Sequence, residues 1–192
     1  HNLRPHGVIY AVSGISDTEP WVYYNSETKT GIVFNADSYE RIRSLALGMV
    51  MDISEEQKAI HFLRGSLVDV NGEGVAIMGP QGSGKSTHTF LLLQLDRARI
   101  HSNDWIYVEH LGGEKGRIST LVSERKFYMK TDVCQISPRL KEIFNKCKKK
   151  DSYFILDPWW IGGEEKFVDT TRIKVIFLLS PDPKSSILAE RL

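Results

Sequence analysis

The feature that most limits how this chain can fold is the run GPQGSGKS, from Gly79 to Ser86, which satisfies the pattern G-x-x-x-x-G-K-[ST]. The apolar run VAIM at 75–78 comes directly before it, and STHTFLLLQL, which reads as a helix, follows. A loop of this kind works only between a strand and a helix, because its backbone N–H groups must turn inward at the positive end of the helix. The pattern therefore predicts an α/β fold and a phosphate-binding loop formed by Gly79, Gln81, Gly82, Ser83 and Gly84. Lys85 supplies a mobile positive charge for β- and γ-phosphates, and the Ser86 hydroxyl suits Mg²⁺. Thr87 adds a second hydroxyl near the α-phosphate.

Composition removes several other classes. The 192 residues are 41% hydrophobic and 26% charged, with 25 Lys+Arg against 24 Asp+Glu and a net charge of +1. Such a chain is neither disordered, collagen-like nor a supercharged nucleic-acid binder. No window approaches the roughly 18 apolar residues of a membrane helix, and the opening HNLRPHGV has no charged-then-apolar leader. Cys134 and Cys147 lack metal spacing and read as free thiols in a reducing compartment. The expectation is a soluble cytoplasmic protein with no membrane or nucleic-acid partner. The closing ILAERL reads as part of a helix, so further functional parts are expected beyond Leu192.

The periodicity predicts a mixed sheet with flanking helices. GVIYAVS, PWVYYN and IVFN read as strands with a turn at SETKTG. Ser38 caps a helix whose inward face is Tyr39, Ile42, Leu45 and Met49. FLRGSLVDV, the turn NGEG and VAIM form a hairpin that feeds the glycine loop. ARIHSND is a strand, WIYVEH, GRIST and KFYMKT form an antiparallel portion, and YFIL and KVIFLLS are buried strands. Ser137 and Pro138 open a helix with Leu140, Ile143 and Phe144 inward. Lys146, Lys148, Lys149 and Lys150 read as its solvated end and not as a nucleic-acid contact. Residues 1–60 are expected to form an N-terminal strand and helix segment packing on a core at 61–192.

A phosphoryl-transfer site needs a carboxylate at a neighbouring strand end. Asp104, in ARIHSNDW, and Asp157, in YFILDPWW, both qualify by spacing. His61, His88, His101 and His110 have no metal spacing, His101 being the best placed. Trp159 and Trp160, near Gly162 and Gly163, read either as a mobile apolar wall or as a core plug.

The run RGSLVDVNGEGVAIMGPQGSGKST with RARIHSNDW resembles the nucleotide-binding core of ATP-dependent phosphoenolpyruvate carboxykinases and HPr kinase/phosphorylases. The segments SGISDTEPWVYYNSETKTGIVFNADSYERIRSLALGMVMD, ERKFYMKTDVC and VDTTRIKVIFLLSPDP extend the resemblance over most of the chain, on the carboxykinase side. In that family the metal ligand is the second of two adjacent aspartates. The resemblance thus implies Asp104 as the ligand and leaves Asn103 where the first aspartate would be. An amide cannot accept a proton at neutral pH, so a base towards a serine hydroxyl is lost there. Arg172 falls on the arginine that contacts the transferred phosphate. Of the lysine and histidine that hold manganese in carboxykinases, the lysine has no counterpart between Met51 and Phe62. The histidine position falls on Arg64, which argues against decarboxylation.

The resulting expectation is an ATP-dependent phosphotransferase with Lys85, Asp104 and Arg172 at its centre and Mg²⁺, or Mn²⁺, on Ser86 and Asp104. Its acceptor would be a small hydroxyl or carboxyl compound or a protein serine. The alternatives are a true carboxykinase and a nucleotide-binding module without catalysis.

Overall fold

The computed structural model describes residues 7–15, 19–35, 39–111, 117–122, 125–130, 138–146, 149–150, 153–156 and 162–180. The chain divides into two units, His1–His61 and Phe62–Leu192. In the first, strands β1 (Val8–Val12), β2 (Trp21–Asn25) and β3 (Thr30–Phe34) form a sheet with β3 in the middle, parallel to β1 and antiparallel to β2. Helix α1 (Tyr39–Lys58) buries Leu45 and Met49 against Val33, with Ile9 and Ile42 around them. Lys29 adds ion pairs to Asp52 at 2.8 Å and Glu56 at 2.7 Å.

Tyr39, expected inside, is 53% exposed. At about 100° per residue it lies roughly 80–120° around the helix from Leu45 and Met49, so the buried stripe starts at Ile42. The proposed cap Ser38 lies outside the described residues.

The second unit is a mixed α/β arrangement. Strands β4 (Ile60–Val70) and β5 (Glu73–Met78) form the expected hairpin, closed by Asn71 and Gly72 at φ 56° and 86°. Positive φ at both central residues matches the twist of the flanking strands. Helix α2 (Lys85–Leu92) follows, then β6 (Ala98–Ser102), β7 (Trp105–Leu111), β8 (Arg117–Val122) and β9 (Phe127–Lys130). After them come α3 (Pro138–Lys146), β10 (Lys149–Lys150), β11 (Tyr153–Leu156) and β12 (Thr170–Leu178). The main sheet runs β5-β12-β8-β7-β4-β6, and a further β5–β4 pairing closes five of its strands into a ring. Strands β9, β10 and β11 form a separate small sheet.

Pleating divides the core in two. Leu67 and Val68 are consecutive on β4 and point to opposite faces. Leu67 joins Ala76, Ile106 and Val108 from the ring strands. Val68 joins Phe90 and Leu93 after the loop, Ala98 and Ile100 of β6, Phe127 and Met129 of β9, and Ile143 of α3. Each such fully buried side chain stabilises by roughly 1.5–3 kcal/mol, which anchors α2 and hence the loop before it.

Two local expectations are corrected. Lys149 and Lys150 do not extend α3, because their backbone pairs with Phe154 and Tyr153 as a short strand. The run KVIFLLS is not a buried strand among the described residues, since Val175 to Leu178 are 41–63% exposed. Over this stretch β12 pairs with β5, while its pairing with β8 is confined to Thr170–Arg172, so among the described residues its C-terminal half has one bonded side.

Candidate functional site

The loop between β5 and α2 is held by close backbone contacts. Gly79 has φ 153°, and a Cβ there would come within 2.6 Å of the Leu179 carbonyl oxygen and 2.7 Å of Ser83 Oγ. Only glycine fits, because strand β12 passes against the start of the loop, where the Leu179 N–H bonds the Met78 carbonyl at 2.8 Å. Gly84 caps α2 in the left-handed conformation, φ 88°. Inside the turn, the Ser83 N–H donates to the Pro80 carbonyl at 3.2 Å. Pro80, Gln81 and Gly82 are exposed, whereas Ser83, Gly84, Lys85, Ser86 and Thr87 are half-buried.

Two polar groups within this loop have main-chain acceptors or no acceptor at all. The Lys85 ammonium bends back and donates to the carbonyls of Gly79 at 2.9 Å and Pro80 at 2.8 Å. Burial, then the nearby Arg64 charge, pull its pKa below the ordinary lysine value, and Asp104 opposes them. Ser83 Oγ is buried and has no hydrogen-bond partner. An oxyanion in the loop would give both groups a charged acceptor.

Strand β4 sets the carboxylate opposite the loop. Gly65 pairs with Met78 on one side, and its N–H donates to the Asp104 carbonyl at 3.0 Å on the other. The loop and Asp104 therefore stand at the same level on the two neighbours of one strand, roughly 10 Å apart across it. Asn103 fixes the turn that presents Asp104. Its Nδ2 donates to the Tyr128 carbonyl at 2.7 Å, its Oδ1 lies 3.5 Å from Ser66 Oγ, and the residue is 7% exposed. Asn103 is a structural pin here.

Lys85, Ser86, Thr87 and Asp104 all belong to this end of the sheet. Arg172 does not. It immediately precedes Ile173, which pairs with Gly74 at the far end of β5, roughly 16 Å of strand from Gly79. There it lines a cleft of about 460 Å³ with Glu73, Ser119 and Lys174. The resemblance that implied a role for Arg172 did not carry the register of its strand, which sets the residue at the far end of β5 from the loop.

The arginine at the loop is Arg64, one residue before Gly65. Its Nε is 3.8 Å from Asp104 Oδ1, and its guanidinium carbon is 5.5 Å from the centre of the Trp105 ring. Local sequence could not reveal this, because residues 64, 85 and 104 meet only through the pairing of β4 with both neighbours.

His101, the best-placed histidine, faces inward with no exposed surface. Its Nε2 lies 3.0 Å from Thr120 Oγ1, while Nδ1 has no partner. Thr120 donates to the Thr171 carbonyl, so Nε2–H is the donor to Thr120. Burial pushes its pKa down to about 4. This is a core histidine. Asp157, Trp159, Trp160, Cys134 and Cys147 lie outside the described residues. Among the described residues no group of three or more His, Cys, Asp or Glu could hold a metal, and no helix is long and apolar enough to cross a membrane.

No family model matches the chain, and no curated protein matches it in sequence. Among solved structures, the chain is similar to an Hpr(Ser) kinase/phosphatase from Coxiella burnetii. The identity is 16% and the TM-score 0.44, over 68% of this chain. The chain spans 66% of the length of that protein.

Proposed function

We propose that the chain binds a magnesium nucleotide, ATP by its sequence resemblance, in the Gly79–Ser86 loop and acts as a phosphotransferase. One arrangement carries this reading: a glycine loop between strand and helix, with the Lys85 ammonium folded over it and Asp104 level with it across β4. Loop N–H groups and the positive end of α2 bind phosphate oxygens. Lys85 exchanges its two carbonyl partners for β- and γ-phosphate oxygens, whose negative charge offsets the burial penalty on the ammonium. Ser86 and Asp104 offer the hydroxyl and carboxylate oxygens that suit Mg²⁺ or Mn²⁺. When bound, the ion neutralises charge developing on the transferred group.

The acceptor is a small hydroxyl or carboxyl compound or a protein serine. A second reading, nucleotide binding without transfer, is favoured by Asn103, an amide that accepts no proton at neutral pH and whose Nδ2 is committed to the Tyr128 carbonyl while Ser66 Oγ donates to its main-chain carbonyl at 2.8 Å.

Calorimetric titration with Mg-ATP and Mg-GTP, beside Lys85→Ala and Asp104→Ala, tests the site. Both variants should bind at least about tenfold more weakly, equivalent to about 1.4 kcal/mol. Undiminished binding in both would reject the site. ADP release by the wild type, absent in Lys85→Ala, would separate transfer from mere binding.

A further inference from the structure

We infer that Arg64, in cation–π contact with Trp105, grips the terminal phosphoryl group of the bound nucleotide, the role that the family resemblance implies for Arg172. The inference rests on the nucleotide reading above. Its first support is position. Because Gly65 pairs with Met78, Arg64 lies beside Gly79, where the loop begins, and on the side of the strand that carries Asp104.

The second support is the state of the guanidinium. Its Nε approaches Asp104 at 3.8 Å, an ion-pair distance too long for a hydrogen bond. Among the described residues no hydrogen bond to the guanidinium is formed. The guanidinium carbon lies 5.5 Å from the centre of the Trp105 ring, a cation–π contact that restrains the long side chain and leaves its N–H donors open. A planar fork restrained in this way matches a phosphoryl group's oxygens in pairs, which a lysine cannot do.

The third support is charge balance. Lys85 and Arg64 are two cations converging on the single carboxylate of Asp104, and the loop amides and helix end add further positive potential. The repulsion between the two cations is relieved by an anion between them. A terminal phosphoryl group held by Lys85 from the loop side would lie within that gap. The cleft beside Arg172 has no comparable arrangement, since Lys174 there is paired with Glu73 at 3.4 Å and the loop is at the other end of β5.

The test compares Mg-ATP with Mg-ADP, which differ by the terminal phosphate, in calorimetric titrations of the wild type, Arg64→Gln, Arg64→Lys, Arg172→Gln and Lys85→Ala. Arg64→Gln should lose roughly 10- to 100-fold in ATP affinity and no more than about threefold in ADP affinity. Arg64→Lys should keep part of the ATP affinity, and Arg172→Gln should leave both ligands unchanged. Thermal melts verify folding; Arg64 is 64% exposed, and should the Gln variant misfold, an ATP-selective loss in Arg64→Lys carries the inference. If Arg64→Gln keeps the wild-type ATP-to-ADP ratio while Lys85→Ala loses both, the Arg64 inference falls and the nucleotide site stands. An ATP-selective loss in Arg172→Gln would also overturn it. If the wild type binds neither nucleotide, both readings fall together.

Discussion

Replacing His101 by Gln should flatten the acid side of the stability profile of the second unit. The folded ring has no exposed surface and a pKa pushed down to about 4 by burial, against an ordinary value of 6.5. Thr120 on β8, Asp69 on β4 and Asp169 before β12 pull the other way without restoring it. Between these two pKa values the unfolded chain binds a proton that the folded chain refuses, so stability falls as pH is lowered from about 6.5 towards 4 and this loss is complete below it. At pH 5 the loss is about 2 kcal/mol, from the ratio of the two protonation polynomials. With a urea slope near 2 kcal/mol per M, the midpoint should drop by about 1 M between pH 7.5 and pH 5. His101→Gln keeps a donor for Thr120 and removes the titration, so its midpoint should move by correspondingly less over the same range. Urea titrations followed by circular dichroism and tryptophan fluorescence measure this. Parallel pH profiles in the two proteins would refute the assignment of a buried, neutral His101, whatever their difference at pH 7.5.

Asp69→Asn should cost about 3 kcal/mol, because the buried carboxylate accepts hydrogen bonds from Thr171 at 2.6 Å, Arg99 at 2.9 Å and the Gly72 N–H at 3.1 Å. Burial alone would raise the Asp69 pKa, but these donors hold it below 3.8, so its contribution is present above that pH and is lost as pH falls through the lower folded value. Acid titration of the melting temperature should show this extra loss in the wild type and not in the variant. Gly79→Ala should cost about 2 kcal/mol or displace the loop, since its Cβ would meet Leu179 and Ser83 at 2.6 and 2.7 Å. A melting temperature and nucleotide affinity equal to the wild type would refute the close packing of β12 on the loop.

Much of the local structure was legible because it depends on neighbouring residues. The hairpin from Phe62 to Met78 follows from alternation and the Asn71-Gly72 turn, and the strand-loop-helix order follows from VAIM, GPQGSGKS and the apolar run after it. Spacing left Asp104 and Asp157 equal, and the resemblance favoured the residue that the structure brings level with the loop. What sequence could not supply was the second dimension of the sheet. Pairing of β4 with β5 on one side and β6 on the other brings Arg64 beside the start of the loop and level with Asp104. The same dimension separates Arg172 from them, since the register of β12 on β5, with Ile173 opposite Gly74, is not written in the local order of either strand. His101 was ambiguous because a histidine on a strand is read by its surroundings, here Thr120 and the closed interior.

Strand β4 also acts as a ruler. Its two flanking spacings, each about 4.8 Å, are set by main-chain hydrogen bonding and not by side chains. The span between the loop and Asp104 is therefore insensitive to most side chains that β4 carries, Gly65 excepted, where a Cβ would come within 2.8 Å of the Ile77 carbonyl oxygen. Position 64 projects at that span from the ruler's edge with most of its surface in solvent, so it can be exchanged at little structural expense. Chemistry at this site can thus diversify by one substitution while the distance between its two halves stays constant.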